Sequence, residues 1–249
     1  MTPTTVRVLD IPIVDTDLEA AAELLLQREA EQLKSTCAFV NVHTITEARS
    51  SPELREALQS MDLAFADGMP VQWLKSQLGG RALGRVAGPE LMKIALERRD
   101  FRERRHYLFG STKEALTLIR DRHPHANVVG TCSPRYGVWD EAESLSYVQM
   151  INEANPSFVW VGLGAPKQEL WIERWAPELN AICVLGVGAA FDRAAGLQAS
   201  PPTWMSAAGL EWAFRLVQEP RRLGPRYLRT NPRFMLHTVK ELISSRLRG

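Results

Sequence analysis

The chain has 249 residues, enough for one large α/β domain or two small halves around a sizeable core. With 45% hydrophobic and 24% charged residues its balance is that of a globular protein, and no run of about 18 apolar residues offers a membrane-spanning helix. Thirty Lys and Arg against 29 Asp and Glu leave a net charge of +1, which argues against a polyanion partner such as nucleic acid. That average hides an asymmetry. Residues 201–249 hold nine basic and three acidic side chains, +6, so the first 200 residues carry −5. The three cysteines, Cys37, Cys132 and Cys183, make no metal-type or redox-type pair, and residues 1–9 lack the pattern of a secretory signal. Both observations point to a reduced, cytoplasmic setting.

In chain order, residues 6–14 read as one extended segment, and Asp15 or Thr16 then caps a helix running to about residue 33. Residues 37–42 are a short apolar strand. Ser51-Pro52-Glu53 opens a helix with proline in its first turn. Residues 63–66 form a brief strand ending in the turn signal Asp67-Gly68, and helices follow near 69–78 and 89–98. The alternation then restarts. Strands are expected at 106–109, 127–131, 157–161 and 181–187, with helices at about 112–119, 141–152 and 166–175. Strands alternating with helices predict a Rossmann-like, doubly wound α/β sheet, whose ligands bind beyond the carboxyl ends of the strands. A catalytic body over residues 1–200 is expected, with two halves meeting near 105. Residues 201–249 form a basic, aromatic-rich helical appendage, with an apolar helix pattern over 204–217, a Pro/Arg-rich stretch over 220–227 and an amphipathic segment over 232–248.

Several strand-end loops carry candidate chemistry. Asp67, before the flexible Gly68, can face the crevice as a general base; the competing reading is a turn residue whose carboxylate caps the next helix. Arg85-Val86-Ala87-Gly88-Pro89 places a forked cation just before a helix N-terminus that favours an anion, unless Arg85 is only a surface arginine. Gly162-Leu163-Gly164-Ala165-Pro166-Lys167-Gln168-Glu169 follows a strand and enters a helix, so a ligand can approach its backbone. Lys167 occupies the place of the third small residue in a dinucleotide fingerprint, which weakens a nicotinamide reading; Lys167 and Gln168 can instead meet phosphate or a sugar hydroxyl. Gly186-Val187-Gly188 repeats the logic, with Asp192 as a hydroxyl acceptor, a helix cap or a partner of Arg193. Asp15-Thr16-Asp17 has the look of a metal-holding Asp-x-Asp, but helix capping accounts for it and no metal site is expected. The five histidines, including His43, are scattered and form no catalytic signature.

Together, the ordered segments resemble the WecG/TagA/CpsF glycosyltransferase family from about residue 9 to residue 236. The residues that carry the likeness are Asn41, Ala66-Asp67-Gly68, Arg85-Val86-Ala87-Gly88, the runs 161–169 and 186–192, Gly209-Leu210-Glu211-Trp212 with Arg215, and Glu219-Pro220-Arg221-Arg222 with Arg226-Tyr227. The resemblance implies an inverting, metal-independent transferase with no cofactor. It would move a sugar from a UDP-sugar to a polyprenyl diphosphate-linked sugar at the inner membrane face, in surface polysaccharide synthesis. On this resemblance Asp67 matches the general base. Arg85 and Gln168 match groups near the diphosphate or sugar, and Asn41, Gly68, Gly88, Gly162, Gly164, Lys167, Gly188 and Asp192 fall among the substrate-binding positions. Arg215, Arg221 and Arg222 match appendage arginines that close the site and meet anionic lipid. Two places depart from the pattern: Phe39 stands where the family often has Thr, and Ser200-Pro201-Pro202 where it usually has Arg-Ala-Pro. On the resemblance, both bear on sugar or acceptor choice. The apolar residues of the appendage also suit contact with another copy of the chain. The alternatives are a nicotinamide-dependent oxidoreductase on a Rossmann-like sheet and a non-enzymatic binding protein that uses its tail on nucleic acid or a partner.

Overall fold

The computed structural model describes residues 3–202, 204–205 and 209–248. The chain opens with β1 (Thr5–Val8) and β2 (Ile11–Val14), an antiparallel hairpin. The expected single extended segment is broken because Leu9 and Asp10 both take positive φ, 47° and 75°, closing a tight turn. Leucine is rarely found there, and Asp10 without a glycine beside it is a weak turn signal inside an apolar run. Helix α1 (Leu18–Ala30) is capped by Asp17, whose Oδ1 accepts from the Ala20 N–H at 2.9 Å. The expected caps, Asp15 and Thr16, lie just outside it. Asp15 is drawn to the buried Lys75 at 3.0 Å and to Arg81 at 3.1 Å. Burial pushes its carboxyl up, but these cations outweigh that and hold it below the usual carboxylate range.

Strand β3 (Ser35–Val40) gives way at Asn41 to α2 (Val42–Ala48), a helix absent from the sequence expectation because the apolar run continues through Val42. Then come α3 (Pro52–Ser60), β4 (Leu63–Ala66), α4 (Met69–Gln77), α5 (Gly88–Glu97) and the short α6 (Arg99–Arg102). The second series is β5 (His106–Gly110), α7 (Lys113–Arg122), β6 (Val128–Cys132), α8 (Glu141–Glu153), β7 (Phe158–Gly162), α9 (Lys167–Trp175), β8 (Cys183–Gly186) and α10 (Ala190–Ala194). All eight strands join one sheet in the order β1-β2-β4-β3-β8-β7-β5-β6, parallel except for the hairpin. The fold is the expected Rossmann-like α/β architecture.

The central strands are buried on both sides, so they read as continuous apolar runs while their side chains still alternate between faces. In β7, Val159 and Val161 join the core under α2, α3, α4, α8 and α9. Phe158 and Trp160 join the core under α1, α5, α7 and α10. The two βαβ series meet where β8 pairs with β3, Ala38 level with Gly186.

Beyond the sheet lie α11 (Glu211–Gln218) and α12 (Pro220–Arg248). Of the helix expected over 204–217, positions 203 and 206–208 lie outside the described residues. The two tail segments expected at 220–227 and 232–248 form one helix of 29 residues, with Pro225 and Pro232 inside it. An interior proline removes a helical hydrogen bond, so local sequence argued for a break. Tertiary packing overrides it: Leu223, Thr230, Phe234 and Thr238 recur at helical spacing and are all buried. Arg229 adds an ion pair to Glu47 of α2 at 2.7 Å. No described helix is long and apolar enough to cross a membrane.

Candidate active site

Adjacent strands whose following helices depart to opposite faces open a crevice at their carboxyl ends. That condition holds between β3 and β8, since α2 packs on one face and α10 on the other. It holds again between β8 and β7, because α9 shares the face of α2. Asn41, Asp67, Gly162 and Gly188 therefore stand along one edge of the sheet.

Over the β3 and β4 end of this edge lies a cleft of about 510 Å³. Its floor holds Asn41, His43, Asp67, Gly68 and Arg85; one wall is α4 with Met69, Pro70 and Trp73, and the opposite wall is the appendage, including Glu211, Trp212, Arg215, Arg226, Tyr227 and Phe234. Body and appendage thus share one cleft.

Asp67 directly follows β4, with its N–H bonded to the Val40 carbonyl at 2.9 Å. Gly68, at φ 117°, turns the chain into α4, a backbone conformation that a side chain would strain. Helix α4 begins without a side-chain cap, so the Asp67 carboxylate is not used for capping. Burial pushes that carboxyl above the usual carboxylate range, while Arg85, Arg215 and Arg193, with the Asn41 side-chain amide, pull it back. Asn41 is fixed in turn, because its Oδ1 accepts from the His43 and Thr44 N–H groups at 3.0 and 3.1 Å. The result is a half-buried carboxyl held by a backbone ladder and flanked by cations, an arrangement suited to taking a proton beside a developing anion.

Arg85 has a side chain only 8% exposed, and its Nη2 meets Glu90 at 2.6 Å and also pairs with Glu211 of α11. An appendage carboxylate therefore reaches into the body and engages a site cation. Arg193, on α10, is held below its ordinary value by burial and by neighbouring Arg215, with Glu211 and Asp67 acting in the other direction. The Nε of Arg215 is buried without a partner. Arg85, Arg215 and Arg193 thus all act electrostatically on Asp67, and Arg215 keeps a donor free for an anion.

The remaining expected residues fall into two groups. Gly88 opens α5, where an added Cβ would touch Val187 and Phe39; Gly162 ends β7, where a Cβ would stand 2.5 Å from the Phe191 ring. Gly164 (φ 78°) and Gly188 (φ 55°) shape the turns after β7 and β8, and open space lies beside Gly164. Gln168 is buried against Gly186 at the end of β8, and the Asp192 Oδ1 lies 3.5 Å from the Ser111 hydroxyl. Lys167 is turned away from the cleft. Its Nζ donates to the Gly137 carbonyl at 2.5 Å and lies 3.4 Å from the centre of the Trp139 ring. Arg221 and Arg222 are exposed and outside the cleft lining, with Arg222 paired to Glu219. Phe39 points into the core against Phe65, 5.5 Å between ring centres.

The sequence profile of the Glycosyl transferase WecG/TagA/CpsF family matches residues 6–248. The chain belongs to this family. It is a glycosyltransferase. The chain is 25% identical to an N-acetylglucosaminyldiphosphoundecaprenol N-acetyl-beta-D-mannosaminyltransferase of Bacillus subtilis (strain 168), over 93% of this chain and 90% of the relative. An enzyme of the same description from Bacillus spizizenii is 27% identical, over 85% of this chain and 82% of the relative. Polysaccharide biosynthesis is the setting these relatives share with the transferase described here.

Sequence reasoning gave no role to His43, Trp73, Glu211 or Arg226 of this transferase, and named Arg193 only as a partner of Asp192. Glu211 and Arg226 sat within quoted motifs, but only the docked appendage shows which of its charges face the cleft. His43 was masked by the missed α2. Burial and nearby Arg226 keep its imidazole below the ordinary value, so it presents a neutral ring at the cleft.

Proposed function

We propose that this transferase moves a sugar from a UDP-sugar to the hydroxyl of a polyprenyl diphosphate-linked sugar, with inversion and without a metal. Asp67 takes the proton from the acceptor hydroxyl as it attacks the anomeric carbon. The bond to the UDP oxygen breaks, and Arg85, Arg193 and Arg215 stabilise the charge that collects on the leaving diphosphate. Asn41 holds Asp67 in place, and Gln168 meets the donor. The names of the two Bacillus enzymes favour N-acetylmannosamine as the sugar transferred and a GlcNAc-diphosphate lipid as acceptor.

One observation carries this reading: a carboxyl at a strand end that shares a cleft floor with Arg85 and faces an appendage wall bringing Arg215 together with Trp212 and Phe234. The charged floor suits a diphosphate, and Trp73 on one wall with Trp212 and Phe234 on the other suits lipid. The exposed apolar side chains Leu228, Leu236, Ile243 and Leu247, interleaved with exposed Arg229 and Arg233, fit peripheral attachment to anionic lipid at the inner face of the membrane.

The test is UDP release from UDP-N-acetylmannosamine with a synthetic GlcNAc-diphosphate lipid, with and without EDTA. Turnover that resists EDTA and vanishes in Asp67→Asn supports the assignment. Equal UDP release by wild type and Asp67→Asn rejects Asp67 as the base, and loss of turnover in EDTA rejects metal independence.

A further inference from the structure

Next to Gln168 lies a second carboxylate that the proposed reaction does not use. Glu169 is 2% exposed and Gln168 is 5% exposed. The Gln168 Nε2 donates to Glu169 Oε1 at 2.9 Å and to the Gly186 carbonyl at 2.9 Å. Both neighbours are acceptors, so the amide can sit only one way round; flipped, its oxygen would face two other oxygens. Gln168 Oε1 is then left buried and unpartnered. It faces Gly188, where an added Cβ would stand 3.4 Å away, and Gly188 carries none. Among the described residues Glu169 meets no cation: besides the Gln168 amide its carboxyl draws only on its own backbone N–H, and Oε2 is left without a hydrogen bond. A carboxyl buried in this way costs stability, so packing alone does not account for it.

We propose that Glu169 is a positioning residue that locks the Gln168 amide, so that Gln168 Oε1 stands at the β8 crevice as a fixed acceptor selecting an O–H or N–H donor on the bound sugar nucleotide. The acceptor is two strands from Asp67, on the order of 10 Å along the sheet edge. A site built to accept such a hydrogen bond discriminates against an analogue lacking the donor, because the buried oxygen is then left unpaired. This inference rests on the transferase reading above.

The experiment compares wild type, Glu169→Gln, Glu169→Leu, Gln168→Ala and the Gln168→Ala/Glu169→Leu double variant, with UDP-N-acetylmannosamine as donor. Alongside the kinetics, thermal melts and the Gln168 side-chain amide signals are followed by NMR. Glu169→Gln keeps an acceptor for Nε2 and should hold kcat/KM within about threefold, while Glu169→Leu should lose roughly tenfold. In the Gln168→Ala background Glu169→Leu should add almost nothing, which a merely structural role would not produce. Additive losses, or a Glu169→Gln variant as impaired as Glu169→Leu, overturn the proposal. If wild type releases no UDP from this donor, the proposed donor assignment fails, and the amide signals judge the positioning by themselves. An amide proton shifted downfield and protected from exchange in wild type and Glu169→Gln, but returned to the free-amide position in Glu169→Leu, sustains it; unshifted, rapidly exchanging protons in wild type overturn it.

Discussion

The strand ends and the appendage build the same cleft by unlike means. Asn41 and Asp67 are set by the sheet: the Asp67 N–H belongs to the β3–β4 ladder and Asn41 caps the helix that follows β3. The appendage is set by one buried stripe on α12 and by charge pairs, chiefly Glu211 with Arg85 and Arg229 with Glu47. Helix α11 has no fully buried residue. On the proposed reading a ladder holds the base, while a stripe with a few ion pairs holds the wall opposite it. Substitutions on either side should therefore report differently.

The largest expected effect lies at the ladder. Asp67→Asn should lower kcat by about 10³-fold while substrate binding changes little, as expected for loss of a general base. An equal fall after a tail substitution would erase the contrast. Arg85→Ala should cost about 10²-fold in kcat, measured in the same UDP-release assay, because a cation at the leaving group acts mainly in the transition state. Arg85 also anchors Glu211, so Glu211→Gln separates the two roles; it should leave kcat within about threefold, consistent with loss of one partner of a charge pair.

The pH dependence sharpens the assignment of the base. The Asp67 pKa is raised in the folded protein, so the rate should climb with pH through a value above the usual carboxylate range. The same shift has a stability sign. A raised carboxyl contributes stability below its unfolded pKa and loses it as pH rises through the folded value. Asp67→Asn should therefore melt at a higher temperature than wild type at neutral pH, with the gap closing on acidification. A gap that widens at low pH would mean that the arginines, rather than desolvation, dominate at Asp67.

On the appendage, Phe234→Ala should cost about 3 kcal/mol of stability by leaving a hole between α12 and α2, read from a denaturant midpoint. The smallest effect is expected at Arg221 and Arg222, which lie outside the cleft lining. Replacing each by Ala should weaken binding to anionic vesicles by about 1 kcal/mol and leave kcat unchanged. A fall in kcat would place these arginines in the closed site.

Most of the fold was legible because α/β sheets write themselves in alternation. The runs at 63–66, 106–109 and 157–161 are short, apolar and bounded by turn or helix signals, and each became a strand. The failures have local causes. The β1–β2 turn pairs Asp10 with Leu9, a residue rarely found at positive φ, and no glycine marks it. Helix α2 begins where an apolar run has not yet ended, and that hid His43. Of the candidate site, Asn41, Asp67, Gly68, Arg85 and Arg215 do meet in one cleft. Lys167 sits in the expected helical turn yet turns to Trp139, since the direction of a long side chain is decided by distant partners.

By itself the sequence determined the sheet, the strand-end positions of Asp67 and the glycine turns, and the +6 charge of residues 201–249. These depend on periodicity and composition, which are local. Only the tertiary structure decided that Arg193 faces Asp67, that Glu211 occupies Arg85, that α12 runs through two prolines, and that the Gln168 amide can point one way only. Each of these is settled by groups far apart in the chain, where packing against a neighbour outweighs local preference.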